Sequence, residues 1–105
     1  MSNTLSLTTE SQDVCTFSNV PNHAIYVIRF AYNKRGTYPI AINGNGGANI
    51  SQVYDDIPQY QSNTVVILGH SNNTSGTQTV TLNLKAIGGS EDLTYCSATL
   101  YAIPY

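Results

Sequence analysis

Alternation of polar and apolar residues dominates the chain, most clearly in the segment TQTVTLNLKAI. In an extended chain, Thr79, Thr81 and Asn83 of this segment lie on one face, and Val80 and Leu82 lie on the other. A period of two residues predicts a strand with one solvated and one buried face. Helical periodicity is absent. Two shorter predicted strands are LSLTT and VCTFS, the second of which ends at a predicted turn, NVPN.

Three segments are apolar on both faces of a predicted strand: HAIYVIRFAY, NTVVILGH and SATLYAIPY. In the first, Ile28 and Phe30 share one face and Val27 lies on the other. Such a strand needs a covering layer on each side. The facing sheet of a β-sandwich supplies one layer, and a chain of 105 residues has no element to spare for the second. We therefore expect another copy of the chain to cover residues 24–31 and 96–105.

The segments between the predicted strands are rich in Gly and Asn, which tolerate turn conformations. They are NKRGTYP, INGNGGANIS, HSNNTSGT and IGGSED. Their spacing predicts about eight strands with turns every ten residues or so, which is typical of a sandwich or barrel. The length fits one domain. We expect a single all-β domain over residues 1–105, built as an antiparallel β-sandwich.

Composition and charge exclude several classes of protein. Only 10% of the residues are charged, the net charge is −2, and four residues are basic. Nucleic acid binding needs clustered basic residues, so we expect none. No apolar run approaches the roughly 18 residues of a membrane span, so we expect no membrane insertion. The segment MSNTLSLTTE has neither a basic nor an apolar region, so we expect it not to be a signal peptide.

The last three predicted strands carry a resemblance to a known family. VTLNLKAI, GGSEDLTYC and SATLYAIPY resemble the final strands of jelly-roll domains of the tumour-necrosis-factor type, and HAIYVIRFAY resembles their early central strand. Bacterial superlectin domains and phage-type fibre tips have similar endings. The resemblance spans residues 12–105 and implies a jelly roll whose last strand packs at a threefold axis, in a homotrimer. An immunoglobulin-like sandwich is the alternative, but the chain has no Trp for a Cys…Trp…Cys pattern.

The resemblance implies a non-enzymatic recognition domain on a cell or virion surface, such as a trimeric fibre tip or lectin that binds a cell-surface glycan. Lectins of this type bind sugar with Arg, Tyr and Ser or Thr near the subunit boundary. The final loop, AIGGSED, contains no Arg, so that site does not transfer to this chain. The alternative is a structural trimerisation knob or capsid decoration protein without a ligand. Neither His23 nor His70 lies in a catalytic motif, and GHSNN does not match G-x-S-x-G.

Ligand contacts are expected in three polar segments, because binding side chains concentrate on the loops of a rigid sandwich. Arg offers paired donors, carboxylates accept hydrogen bonds from neighbouring hydroxyls, and Tyr rings stack on a pyranose. Calcium binding or a solvated turn are alternatives for the adjacent aspartates. The candidate residues are Tyr32, Asn33, Arg35, Tyr54, Asp55, Asp56, His70, Asn72 and Asn73.

The two cysteines, Cys15 and Cys96, lie in the first and last of the main predicted strands. If these strands are neighbours, as the resemblance implies, a disulfide between them would stabilise the fold by about 4 kcal/mol. The alternative is two free thiols that pack as small apolar groups. No Cys or His spacing indicates zinc, and NGNGGA lacks the Lys-Ser/Thr ending of a phosphate-binding loop. We expect no metal and no cofactor.

Overall fold

The computed structural model describes residues 1–45 and 49–105, which form an antiparallel sheet and contain no helix. The order of strands in the sheet is β1-β7-β2-β6-β3-β5, and β4 pairs with β6. The predicted all-β antiparallel fold is confirmed, with seven strands in the described residues where the sequence predicts about eight. Accordingly, no helix in this part of the chain is long and apolar enough to cross a membrane. The strands are β1 (Leu5–Leu7), β2 (Gln12–Lys34), β3 (Ile40–Asn45), β4 (Asn49–Ile50), β5 (Val53–Asp55), β6 (Ser62–Ala86) and β7 (Glu91–Pro104).

The two longest strands, β2 and β6, run through segments in which the sequence predicts turns. NVPN lies within β2 and HSNNTSGT lies within β6, so both predictions are wrong. In place of a turn, β2 shifts its register against β6 between Phe17 and Val20 and again between Pro21 and His23. Asn19 adopts a left-handed φ of 58° there, a conformation that Asn tolerates better than most residues. Bulges of this kind bend a strand without ending it.

The bulges divide the sheet into two parts. The first half of β2 pairs with the last part of β6, and β3 extends this part on the other side of β6. From Ala24 to Lys34, β2 lies between residues 62–72 of β6 and strand β7. A single hydrophobic core draws side chains from both parts, so the sheet wraps around that core.

The predicted alternation of buried residues is confirmed. In β2, Tyr26, Ile28 and Phe30 are fully buried, and in β6 the same holds for Leu82 and Leu84. Burying an aliphatic or aromatic side chain of this size contributes about 1.5–3 kcal/mol. The inner faces of both parts of the sheet therefore stabilise the fold.

The outer face of the second part carries apolar residues that no other described element covers. We call the exposed side chains of Ile25, Val66, Leu68, Tyr101 and Ile103 the outer patch; between 46% and 56% of each is exposed. Paired residues on neighbouring strands project to the same face, and two rows cross the patch. The prediction that these strands are apolar on both faces is confirmed. The rows are Ile103–Ile25–His70 and Tyr101–Val27–Leu68.

Both cysteines are free, so the candidate disulfide between Cys15 and Cys96 is not formed. Cys15 lies opposite Leu82 of β6, in the half of β2 that does not pair with β7. Strand β7 joins β2 only from Ala24 onwards, and this separates the two thiols. Burial raises the pKa of Cys15, and it raises the pKa of Cys96 to about 11, so neither thiol is activated at neutral pH.

We expect the stability of the protein to fall as pH rises from 9 to 11, because the Cys96 thiol ionises at about pH 9 when unfolded and about pH 11 when folded. The contribution is present below pH 9 and is lost as the pH rises, by up to about 2–3 kcal/mol. Burial and Asp55 also raise the pKa of Tyr32, which adds to the loss above pH 10.

Urea denaturation at pH 7, 9 and 11 measures this effect. Cys96→Ala should lessen the alkaline loss, whereas Ser97→Ala, at an exposed neighbouring position, should not. Reducing agent should leave the melting temperature at neutral pH unchanged. A lower melting temperature under reducing conditions would contradict the free thiols.

Candidate functional site

The nine predicted contact residues fall into two groups at different positions along the long strands. Asn33 pairs with Ser62 at one end of the β2–β6 ladder, and Ile25 pairs with His70 near the middle of it. Eight residues of strand separate Ser62 from His70, roughly 27 Å at about 3.4 Å per residue. The three segments therefore do not open at one end of a single chain. His70, Asn72 and Asn73 lie within β6 and not in a loop.

Asp55 is occupied by contacts within the fold. Its Oδ2 accepts hydrogen bonds from the Tyr32 hydroxyl at 2.5 Å and from Asn63 Nδ2 at 2.8 Å. The Tyr32 side chain is buried, and burial together with the Asp55 carboxylate raises the pKa of its hydroxyl. The two side chains thus fix β5 against the central strands. Neither presents its polar group to a ligand in the way that the sequence predicts.

Asp56 points to a different partner. Lys34 is buried, and its Nζ lies 3.3 Å from Asp56 Oδ1 and donates to the Ile57 carbonyl oxygen at 2.9 Å. Because Asp55 and Asp56 contact separate groups, they form neither an acid–base pair nor two ligands of one calcium ion. Within residues 1–45 and 49–105, no three His, Cys, Asp or Glu side chains gather in a metal-binding group.

A buried carboxylate that the sequence did not single out holds the loop after β2. Glu91, at the start of β7, is fully buried and accepts hydrogen bonds from the backbone N–H groups of Gly36 at 2.6 Å and Tyr38 at 3.0 Å. Gly36 leaves room for it, since a Cβ there would lie 2.5 Å from a Glu91 oxygen. These hydrogen bonds from Gly36 and Tyr38 to Glu91 therefore hold the loop that carries Arg35 against the start of β7.

At this end of the ladder, exposed Arg35 and Tyr60 lie beside half-buried Asn33, and we call these three residues the Arg35–Tyr60 platform. The guanidinium carbon of Arg35 lies 4.7 Å from the centre of the Tyr60 ring, and Arg35 Nη1 donates to Asn33 Oδ1 at 3.3 Å. Asn33 Nδ2 donates to Ser62 Oγ at 3.0 Å. The Tyr60 ring is 59% exposed, and sequence analysis missed it. Tyr54 is exposed too, but it lies on β5.

Near the middle of β6, His70 lines a groove of about 730 Å³ that adjoins the outer patch at Ile25 and Leu68. Ile25, Leu68 and Ile50 form its apolar surface, and Tyr105 borders it with His70. Asn49 Nδ2 lies 3.5 Å from His70 Nε2. The predicted residues Asn72 and Asn73 are exposed farther along β6.

Two glycines let β4 form one wall of this groove. A Cβ at Gly69 would overlap Ile50 Cδ1 and lie 2.8 Å from the Asn49 carbonyl oxygen, and a Cβ at Gly44 would lie 2.9 Å from Ile50 Cγ1. Strand β4 can therefore lie close to β6 only because these positions have no side chain.

No known protein family, curated protein or solved structure matches the chain.

Proposed function

We propose that the chain is a subunit of a non-enzymatic extracellular homotrimer of the jelly-roll type, which recognises a cell-surface glycan. The observation that supports assembly is the outer patch. Its five side chains are each about half exposed, and they adjoin one another on three neighbouring strands. Contiguous apolar surfaces of this kind mark interaction sites on soluble domains. Burying the exposed half of each side chain would contribute about 1 kcal/mol.

A second copy of the same chain is the partner that fits this surface. The five side chains of the outer patch are uncharged, and the exposed Arg29 lies opposite Val66 at their border. A second copy can therefore cover the apolar side chains while Arg29 stays in contact with water. The groove beside Leu68 and the ring of Tyr101 lie on the same face, and the groove has room for side chains of a neighbour. When a groove on one copy receives a projection from the next, the contact is head-to-tail, and such contacts form a ring such as a trimer when the rotation between copies closes.

Light scattering on the purified protein at micromolar concentration tests the assembly. We expect a mass three times the 11.3 kDa of one chain. A monomer would refute the proposed interface, and a dimer would refute the threefold arrangement.

Glycan recognition is supported by the Arg35–Tyr60 platform, where a donor fork and an exposed ring lie together. The structural knob is the second candidate, because Tyr32, Asp55 and Asp56 are engaged by other protein groups. A glycan array with the assembled protein distinguishes the two. Binding to a defined set of glycans supports recognition, and binding to none favours the knob.

A matched pair of variants should show whether the Arg35–Tyr60 platform is the glycan-binding site. We expect Arg35→Ala to reduce glycan binding several-fold while the melting temperature stays within a few degrees of wild type, because the Arg35 side chain is exposed. Asp92→Ala, at another exposed charged position, should bind as wild type does.

A further inference from the structure

We propose that a cleft beside Tyr95, on the outer face of the sheet, binds one pyranose ring of a neutral oligosaccharide. This inference rests on the proposed glycan recognition and names the site at which it occurs. Apart from Tyr32, its residues lie outside the nine that the sequence predicts as ligand contacts. The cleft has a volume of about 370 Å³ and is lined by Ala31, Tyr32, Ser62, Asn63, Thr64 and Tyr95.

Tyr95 has a backbone conformation that is unfavourable for its side chain. Its φ is 52°, in the left-handed region that bulky residues rarely adopt, at a cost of about 1 kcal/mol or more. The conformation coincides with a bulge, because β7 shifts register against β2 between the pairs Ala31–Ser97 and Asn33–Thr94. Bulges redirect side chains and are frequent beside binding sites.

The strained backbone conformation at Tyr95 does not bury its side chain in the fold. Its ring is 75% exposed, the largest exposure among the big hydrophobic side chains of the described residues. A strained residue that projects an aromatic ring into water indicates a role in binding, since strain of this kind concentrates at ligand sites. Tyr60 repeats the arrangement, with a φ of 67° and a ring that is 59% exposed.

Hydrogen bonds connect the cleft to this second ring. Asn33 Nδ2 donates to Ser62 Oγ at 3.0 Å and to the Tyr60 carbonyl oxygen at 3.2 Å. A strip of neutral polar groups thus runs from Thr64 and Ser62 in the cleft to the turn that carries Tyr60. The two rings are displayed at either end of that strip.

The lining of the cleft favours a sugar over other ligands. Its six residues are uncharged, which disfavours phosphates and acidic groups. The exposed hydroxyls of Ser62 and Thr64 exchange hydrogen bonds readily with sugar hydroxyls, which both donate and accept. The Tyr95 ring offers its face to the apolar side of a pyranose. Thr64 of the cleft lies two residues along β6 from Val66, about 7 Å, so the cleft is at the margin of the outer patch.

The test uses the assembled protein and an array of neutral and sialylated oligosaccharides, followed by titration of the best neutral binder. We expect Tyr95→Ala to weaken binding at least tenfold and Ser62→Ala to weaken it several-fold. Thr79→Ala is the control for the loss of an exposed hydroxyl, because Thr79 lies in the other part of β6, outside the cleft, and it should bind as wild type does.

A further variant separates a binding role from a structural one. Tyr95→Gly removes the ring and relieves the left-handed strain, so its melting temperature should equal or exceed that of wild type while binding is lost. If wild type binds neutral glycans and both Tyr95 variants bind them as well as wild type does, the proposed cleft is not the binding site, and glycan recognition stands. If wild type binds only sialylated glycans, the neutral cleft is wrong as well. If wild type binds no glycan, both proposals fail.

Discussion

Leu68→Asp should convert the assembled protein into a folded monomer. The side chain is 56% exposed in the single chain, so a carboxylate there meets water and leaves the core intact. In the proposed interface the same carboxylate would be buried without a partner, which costs several kcal/mol in each subunit. Light scattering should give a mass one third of the wild-type value, and circular dichroism should retain the β-sheet spectrum.

Two comparisons make this result specific to the outer patch. Tyr101→Asp should dissociate the protein in the same way, since Tyr101 belongs to the same row as Leu68 and is 51% exposed. Tyr54→Asp places the same charge on an exposed residue of β5 and should leave the mass unchanged. If Leu68→Asp and Tyr101→Asp both keep the wild-type mass, assembly uses another surface.

Glu91→Ala should destabilise the protein by about 3 kcal/mol, because the part-buried N–H groups of Gly36 and Tyr38 both lose a charged acceptor that is itself fully buried. In a domain of this size, a loss of that magnitude lowers the melting temperature by about 12–20 °C. Glu91→Gln should lose less stability than Glu91→Ala, since the Gln amide retains one acceptor oxygen. The melting temperature measured by differential scanning calorimetry gives the comparison.

Asp92→Ala is the matched control for Glu91→Ala, because it removes a carboxylate from the adjacent exposed position. Its melting temperature should differ little from that of wild type. A melting temperature for Glu91→Ala within a few degrees of wild type would show that the loop after β2 does not depend on this anchor.

The strands that the sequence predicts best are those whose burial pattern is local. Ile28 and Phe30 alternate with residues that point outward, so the inner and outer faces of this strand can be assigned by taking every second residue. The length of β2 could not be predicted, because Pro21 and the Asn residues on either side favour a turn as strongly as a bulge. Whether a turn or a bulge forms here depends on pairing with β6, a strand that lies far away in the sequence.

The candidate site was predicted less well than the fold. Adjacent carboxylates at Asp55 and Asp56 look like ligand groups in the sequence, yet Tyr32 and Lys34 bind them in the folded chain. These partners cannot be identified from the sequence, because Tyr32 and Lys34 each lie more than twenty residues from the aspartate that they contact. Tyr95 was missed for a related reason, since its left-handed conformation follows from the register of β7 on β2.

The long ladder between β2 and β6 also determines the order in which the protein can fold. Its nearest paired residues, Asn33 and Ser62, are 29 positions apart, and every further pair toward Gln12 and Leu84 is more distant along the chain. The first contact must close a large loop at an entropic cost before any later pair stabilises it. Each subsequent pair adds little further loop entropy, so the ladder should extend like a zipper from Asn33 and Ser62. High separation between contacting residues makes such folding slow, in the range of milliseconds to seconds.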